Sequence, residues 1–344
     1  LVSLGNDPEK TNESSIKYIL LGGFTSALVL YGISQIYTEL VKNDIVNPTF
    51  FSSIGIYATQ YETFPPLFMF GLFLLITGLG FKIAAAPFHT WAPDIYEGAP
   101  LPIAGYLATA SKLAGIALIL RIFSEIFEGS HSSLVIIVAI LAILTMSIGN
   151  ITAIAQTKYR RLIAYSGISH MGYILVGLAT NTVDSYTAII LHSIGYAFSG
   201  LVIFGVLICF YNQTNKENIN DLSGLYKTNS FLAVSITIAL LSTAGLPFFV
   251  GFISKFYLFL AAVEQDLLWL VIIALINSLI SLYYYLMVIK EMYVNEPDDV
   301  LAISTNNIEK LVLITSLIGV IGLGIYPDII MDAINSASIS VFIR

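Results

Sequence analysis

The sequence is poor in charge and almost free of cysteine. Charged residues fill 11% of its 344 positions, where soluble domains carry about 25%, so a water-facing globule is excluded. Cys209 is the one cysteine. That rules out a disulfide within the chain and a cysteine-held metal cluster, and inside an apolar run Cys209 reads as a small buried hydrophobe. The formal net charge of −7 is spread over short segments with no acidic or basic block, so no nucleic acid is expected as a partner. The sequence offers no phosphate-cradling glycine loop, haem-ligand pair or metal motif, and no cofactor or metal is expected on this chain. Residues 1–13 are polar and lack the basic flank and apolar core of a signal peptide.

What the chain has in abundance is apolar length. Hydrophobic residues make up 57% and the mean hydropathy is +0.84, the signature of an integral membrane protein. Windows of roughly 20 residues, enough to cross the hydrocarbon core, can be marked about nine times: 16–37, 66–88, 102–127, 133–155, 162–179, 186–211, 230–263, 268–294 and 308–326. The expected fold is all-α and polytopic. An odd number of spans puts the termini on opposite sides. Lys10, Lys17, Lys158, Arg160, Arg161, Lys216, Lys227, Lys290 and Lys310 then share the N-terminal side, against Lys42, Arg121 and Arg344 opposite. By the positive-inside rule the N-terminus faces the matrix or cytoplasm.

Small residues in the first window (Gly22, Gly23, Ser26, Ala27, Gly32) are expected to let helices approach closely. Residues 42–62 form a loop whose apolar middle, 50–58, is too short to span and is assigned to the interface. The loop over 295–307 is acidic, and 328–343 is expected along the outer surface.

Charge at membrane depth carries the functional signal. Lys82, Lys112 and Lys255 fall inside apolar windows, and intramembrane lysines usually face a polar interior on an ion or proton route. Pro87 and Pro93 follow Lys82 closely, so that helix should open near Pro87. No carboxylate lies at depth beside Lys82 or Lys112, which favours a proton path over an ion pair that pins helices. Window 230–263 is too long for a straight span and holds Gly245-Leu-Pro247 at its centre, which reads as a second broken helix before Lys255. His89, His170 and His192 are candidate relays, since a neutral imidazole donates at one nitrogen and accepts at the other; His170 and His192 could equally be satisfied interior residues, His192 bonded to Ser193 or Tyr196, and His89 could equally cap a helix end and hold the loop. Asp94 and Glu97 either cap helix ends or, for Asp94, help connect Lys82 to the inner side. Asn277 either holds water or packs helices, and Tyr283-Tyr-Tyr285 are packing and interface anchors.

The order Gly80-Phe-Lys82, Pro87-Phe-His89, Trp91, Pro93-Asp94, Tyr96, Gly98 and Pro100 resembles the signature of the antiporter-like proton-translocating subunits of respiratory complex I (NADH:ubiquinone oxidoreductase), subunit 2 in particular. The resemblance extends over nearly the whole chain, through Leu107-Ala-Thr-Ala-Ser-Lys112, Ala155-Gln-Thr-Lys-Tyr-Arg-Arg-Leu162, Tyr165-Ser-Gly-Ile-Ser-His-Met-Gly-Tyr173, Ala244-Gly-Leu-Pro247 and Gly251-Phe-Ile-Ser-Lys-Phe-Tyr257.

The resemblance implies an inverted-repeat bundle with two broken helices. Residues 16–127 would be the remainder of a first repeat, 133–294 the second, and 308–344 a terminal helix and tail. It implies that Lys82 accepts a proton from the inner side, Lys112 passes it across the centre and Lys255 delivers it outward. FMN, iron–sulfur clusters and ubiquinone would sit elsewhere in the complex, and the partners would be other membrane-arm subunits and lipids. In the family several helices precede the matching part, the fifth bearing a glutamate. A separate polypeptide supplying them is expected if the gene is split or the product trimmed, the other alternative being that this sequence is part of a longer chain. Free use of Asn, Ile, Tyr and Phe points to the mitochondrial inner membrane, with a bacterial plasma membrane as the alternative. Functional alternatives are a subunit of a multi-subunit cation/proton antiporter or membrane-bound hydrogenase, and a non-conducting structural subunit.

Overall fold

Helix starts and stops follow local chemistry throughout the computed structural model, which describes residues 1–4, 8–60, 64–126, 132–296 and 303–342. Helix α1 spans Pro8–Lys42, and α2, Phe51–Thr59, is a short helix in the connection to α3, Pro66–Ile83. Next come α4, Trp91–Gly98, and α5, Leu101–Tyr106, which runs through a π-turn over Leu107–Ser111 into α6, Lys112–Ile126. Helices α7 (Ser132–Ile154), α8 (Tyr159–Thr180) and α9 (Val183–Thr214) follow. The remainder comprises α10 (Leu225–Thr228), α11 (Ser230–Ala244), α12 (Val250–Glu264), α13 (Leu268–Val294), α14 (Asn307–Ile325) and α15 (Asp328–Phe342).

Capping boxes at Thr182 with Ser185 and at Asn306 with Glu309 satisfy first-turn amides of α9 and α14. Left-handed residues close α3 at Ala84, α8 at Asn181 and α11 at Gly245.

Among the described residues, eight helices are long and apolar enough to cross a membrane. The remaining window, 230–263, is split into α11 and α12, each of 15 residues. The 66–88 window also ends early: α3 stops at Ile83, before Pro87, and residues 84–90 form a non-helical link. That link is tied down by the Ala86 amide donating to Thr145 Oγ1 at 3.0 Å and the Trp91 indole donating to Phe81 O at 2.9 Å.

The centre of the bundle is α8, buried along nearly its whole length and packed by α7, α9, α12, α4 and α13. Helices α1 and α3 meet where glycine allows it: a Cβ on Gly32 would lie 2.7 Å from Gly71 O. Gly22 and Gly23, expected to serve the same packing, have nothing within 4 Å. They border an open groove shared with residues of α3 and α6 instead of a close helix crossing. Helix α2 packs on α6, and α15 lies on α9, with Thr187 Oγ1 bonded to Asn335 and Ser338 at 3.1 and 3.0 Å. Residues 297–302 of the acidic loop expected over 295–307 lie outside the described residues.

Candidate functional site

Two of the three lysines are deep inside. Lys112 is 1% exposed and Lys255 4%. The π-turn over Leu107–Ser111 widens the helix just before Lys112, a device that re-aims a side chain and is frequent at functional sites. The ammonium of Lys112 lies 6.0 Å from the Tyr96 ring and 5.8 Å from the Tyr196 ring, and no hydrogen-bond acceptor reaches it among the described residues.

Lys255 is held differently. Breaking the helix at Gly245 leaves carbonyls at the end of α11 without amide partners, and Lys255 Nζ donates to Thr243 O at 3.0 Å, Ala244 O at 3.1 Å and Ser278 Oγ at 3.2 Å. A cation at a helix C-terminus is favoured by the dipole as well. The Tyr173 ring covers the same ammonium at 4.6 Å.

Between the lysines stand two histidines. His170 Nδ1 and His192 Nε2 are 3.2 Å apart, and His192 Nδ1 is 2.9 Å from Ser254 Oγ, beside Lys255 in sequence. Tyr196, already next to Lys112, has its ring 5.2 Å from the His170 ring. Lys112, Tyr196, His170, His192, Ser254 and Lys255 thus form one buried polar line through α6, α8, α9 and α12. The local partners expected for His192 are not used: Ser193 turns back to Ile189 O, since a hydroxyl on a helix reaches its own preceding turn more readily than a neighbour ring.

Lys82 departs from the expectation of burial. It is exposed, its stem packed against Gly115, and it lines an open groove of about 790 Å³ together with Gly22, Gly23, Thr25, Ser26 and Ser111. Window position fixes its depth along the helix, whereas the facing of α3 turns it away from Lys112. His89 sits in the link after α3, half-buried, its Nδ1 without a partner among the described residues. Burial lowers its pKa, against a hydrogen bond donated to the Pro87 carbonyl that raises it.

Asp94 and Glu97 do not cap α4, whose first residue follows Thr90 without a side-chain cap. Asp94 instead pairs with Lys17 at 2.7 Å and Arg161 at 3.0 Å, and Glu97 with Lys158 at 2.6 Å and Arg161 at 3.0 Å. Burial would raise both carboxyl pKa values, yet the donated hydrogen bonds outweigh it and hold both below the ordinary range. Arg160 joins through Glu217 at 3.2 Å. Basic residues assigned from sequence to one side of the membrane are therefore gathered at one end of α1, α4 and α8. No group of three or more His, Cys, Asp or Glu that could hold a metal is found among the described residues.

Residues 1–281 match the family model described as NADH:quinone oxidoreductase/Mrp antiporter, transmembrane. The chain belongs to this family. It is 39% identical over 346 residues to NADH-quinone oxidoreductase subunit N of Desulforamulus reducens, covering 100% of this chain and 71% of the relative. Its fold superposes on a chain of respiratory complex I from Thermus thermophilus with TM-score 0.80 and 29% identity, covering 95% of this chain and 70% of that one. The Mrp complex from Dietzia sp. gives TM-score 0.86 at 19% identity, with coverage of 97% and 69%, a likeness of fold alone.

Several further polar residues of this antiporter-family chain are bonded or packed inside the bundle. Tyr96 and Tyr196 flank Lys112. Asn150, fully buried, donates to Asn277 O at 3.1 Å and accepts from Tyr284 Oη at 3.0 Å, which ties α7 to α13. Asn277 is thus a packing residue. Tyr285 reaches Ser166, so Tyr284 and Tyr285 are interior bonders and Tyr283 alone of the three is exposed. A tyrosine or asparagine inside an apolar window is the signal that could have found them.

Proposed function

We propose that this chain is a proton-translocating membrane-arm subunit of an NADH:quinone oxidoreductase, with electron transfer carried by other subunits that hold FMN, iron–sulfur clusters and quinone. The observation that carries the reading is the buried line from Lys112 through His170 and His192 to Lys255. Two lysines without a carboxylate partner would be an expensive way to pin helices. As groups that take up and release protons, they are what such a line requires. Lys112 passes the proton across the bundle and Lys255, anchored at the broken helix, delivers it to the outer side. The halves 16–127 and 133–294 act as the two inverted repeats.

Lys82 is assigned the inner-side uptake step. Its groove, bedded by Gly22, Gly23 and Ser26, is shaped for close approach of another helix. A further membrane segment with a mid-membrane glutamate fits there, supplied by a separate polypeptide packed against α1 and α3. His89, in the link behind Lys82, is its relay to the inner surface. The chain lies with its N-terminus toward the matrix of the mitochondrial inner membrane or, in a bacterial cell, toward the cytoplasm across the plasma membrane.

The test is proton transport by the reconstituted complex. Lys112→Met and Lys255→Met should each leave assembly intact and remove this subunit's share of the protons moved per NADH oxidised, because losing a positioned proton-transfer group slows the transfer by about 100-fold or more. Unchanged stoichiometry in both variants would favour a structural subunit that does not conduct.

A further inference from the structure

Two buried polar groups in one part of the bundle lack a partner. The Lys112 ammonium and the hydroxyl of Tyr96, itself fully buried, make no hydrogen bond among the described residues. A buried polar group left unpaired is costly, and one that persists asks for an explanation. These two can satisfy each other. The ammonium lies 6.0 Å from the centre of the Tyr96 ring and 5.8 Å from that of Tyr196, so it rests midway between them and bonds to neither.

The two tyrosines belong to different parts of the molecule. Tyr196 has its ring 5.2 Å from that of His170, on the way to Lys255. Tyr96 stands on α4, whose first residue, Trp91, lines the Lys82 groove, and its ring packs edge-on against Phe204 at 6.2 Å. Packing therefore fixes the rings, while a lysine head on its four-carbon stem turns readily. A tyrosine hydroxyl also donates as well as accepts, which a carbonyl cannot do. It holds a neutral amine by donating to it and an ammonium by accepting from it, so the contact survives the lysine's change of charge.

We propose that Tyr96 is a positioning residue, its hydroxyl bonding to Lys112 Nζ when that head turns toward α4, which gives the lysine a loading position on the Lys82 side opposite its delivery position beside Tyr196. Tyr96 keeps its own proton throughout. The amine gains a proton arriving from the Lys82 side while held there, and the ammonium gives it up toward His170 after turning. The assignment rests on the proton-translocating reading for its consequence, whereas the contact itself does not.

The experiment uses the assembled complex and has two arms. Tyr96→Phe removes only the hydroxyl, and because that hydroxyl has no partner at rest the variant should be as heat-stable as the natural protein or more so. Misplacing a transfer group costs on the order of 100-fold in rate, so this subunit's share of the protons moved per NADH oxidised should nevertheless be lost, as in Lys112→Met. The double variant should fall no further, as for two changes to one step. A natural yield in Tyr96→Phe beside an impaired Lys112→Met overturns the proposal. So does a lost yield accompanied by a lower melting temperature, the mark of a hydroxyl that ties helices together. The second arm needs no transport: structures of the complex at rest and in turnover should show Lys112 Nζ within hydrogen-bond distance of Tyr96 Oη in one of them. A head that stays out of reach in both overturns the contact and leaves the transport reading untouched. The contact present beside a natural yield in Lys112→Met sinks the transport reading, and with it the loading role.

Discussion

Gly251→Ala should disable the break beside Lys255 without touching a polar side chain. Gly251 is in the first turn of α12 and its φ is not positive, so its role is space. A Cβ there would lie 1.8 Å from Ser242 O and 2.7 Å from the Ser242 carbonyl carbon. Reaching an ordinary contact of 3.4 Å requires α11 and α12 to part by about 1.6 Å. That carbonyl also accepts the Gly245 amide at 2.9 Å, and the Gly251 amide donates to Ser242 Oγ at 3.3 Å. Parting the helices therefore strains the αL closure of α11 and moves Lys255, one turn on, away from Thr243 O and Ala244 O. Overpacking costs about 1–3 kcal/mol, and the upper end applies because the obstructing atom is backbone and cannot rotate aside. The assay is thermal stability of the purified complex together with protons moved per NADH oxidised. Gly322→Ala is the control, since a Cβ there meets nothing within 4 Å and should be neutral or slightly stabilising. Gly251→Ala indistinguishable from Gly322→Ala in both readouts would refute the close-approach reasoning.

Asn150→Leu removes the bonds to Asn277 and Tyr284 and should destabilise the α7–α13 contact by about 1–3 kcal/mol, at roughly 0.6–1.7 kcal/mol per interhelical bond. Asn277→Leu added to it should cost much less than alone, and additive losses in thermal scans would show that the pair is not coupled. Asp94→Asn removes the pairs to Lys17 and Arg161 and should cost about 1 kcal/mol at neutral pH, given the partial exposure of all three groups. Because pairing holds the folded-state pKa of Asp94 below its ordinary value, this stabilisation is full above about pH 4 and is lost as pH falls through the lower folded value. The stability gap between natural and Asp94→Asn proteins should thus be constant from neutral pH downward and close in acid; a gap that widens on acidification contradicts the assignment.

Apolar length and the lysines were legible in the sequence because both are properties of single segments. A lysine in an apolar window must be explained wherever the window packs, and Gly245-Leu-Pro247 cannot continue a helix. What failed was everything that depends on which face of a helix meets which neighbour. Lys82 has the same depth argument as Lys112, yet α3 presents it to the groove beside α1. Asp94 and Glu97 looked like caps because capping is the local use of a carboxylate near a helix start, whereas their partners Lys17, Lys158 and Arg161 come from other helices. His192 had local candidates in Ser193 and Tyr196 and took His170 and Ser254 instead. The π-turn before Lys112 has no motif at all in Leu107-Ala-Thr-Ala-Ser111.

The two buried lysines are held by different kinds of partner, and the difference follows from the two ways their helices depart from regularity. A full break, as at Gly245, exposes backbone carbonyls, and carbonyls are fixed acceptors. Lys255 is therefore anchored by its own fold, and its ammonium stays where the chain puts it. A π-turn, as at Leu107–Ser111, keeps the helix running and releases less backbone, so it shifts Lys112 sideways without giving it acceptors. The head of Lys112 rests between tyrosine rings at about 6 Å, near the outer limit for a cation–π contact. An anchored lysine at one end of the line and an unanchored one at the other have unequal freedom to change partners. Lys112 is the one whose head is free to turn between the Tyr96 and Tyr196 rings.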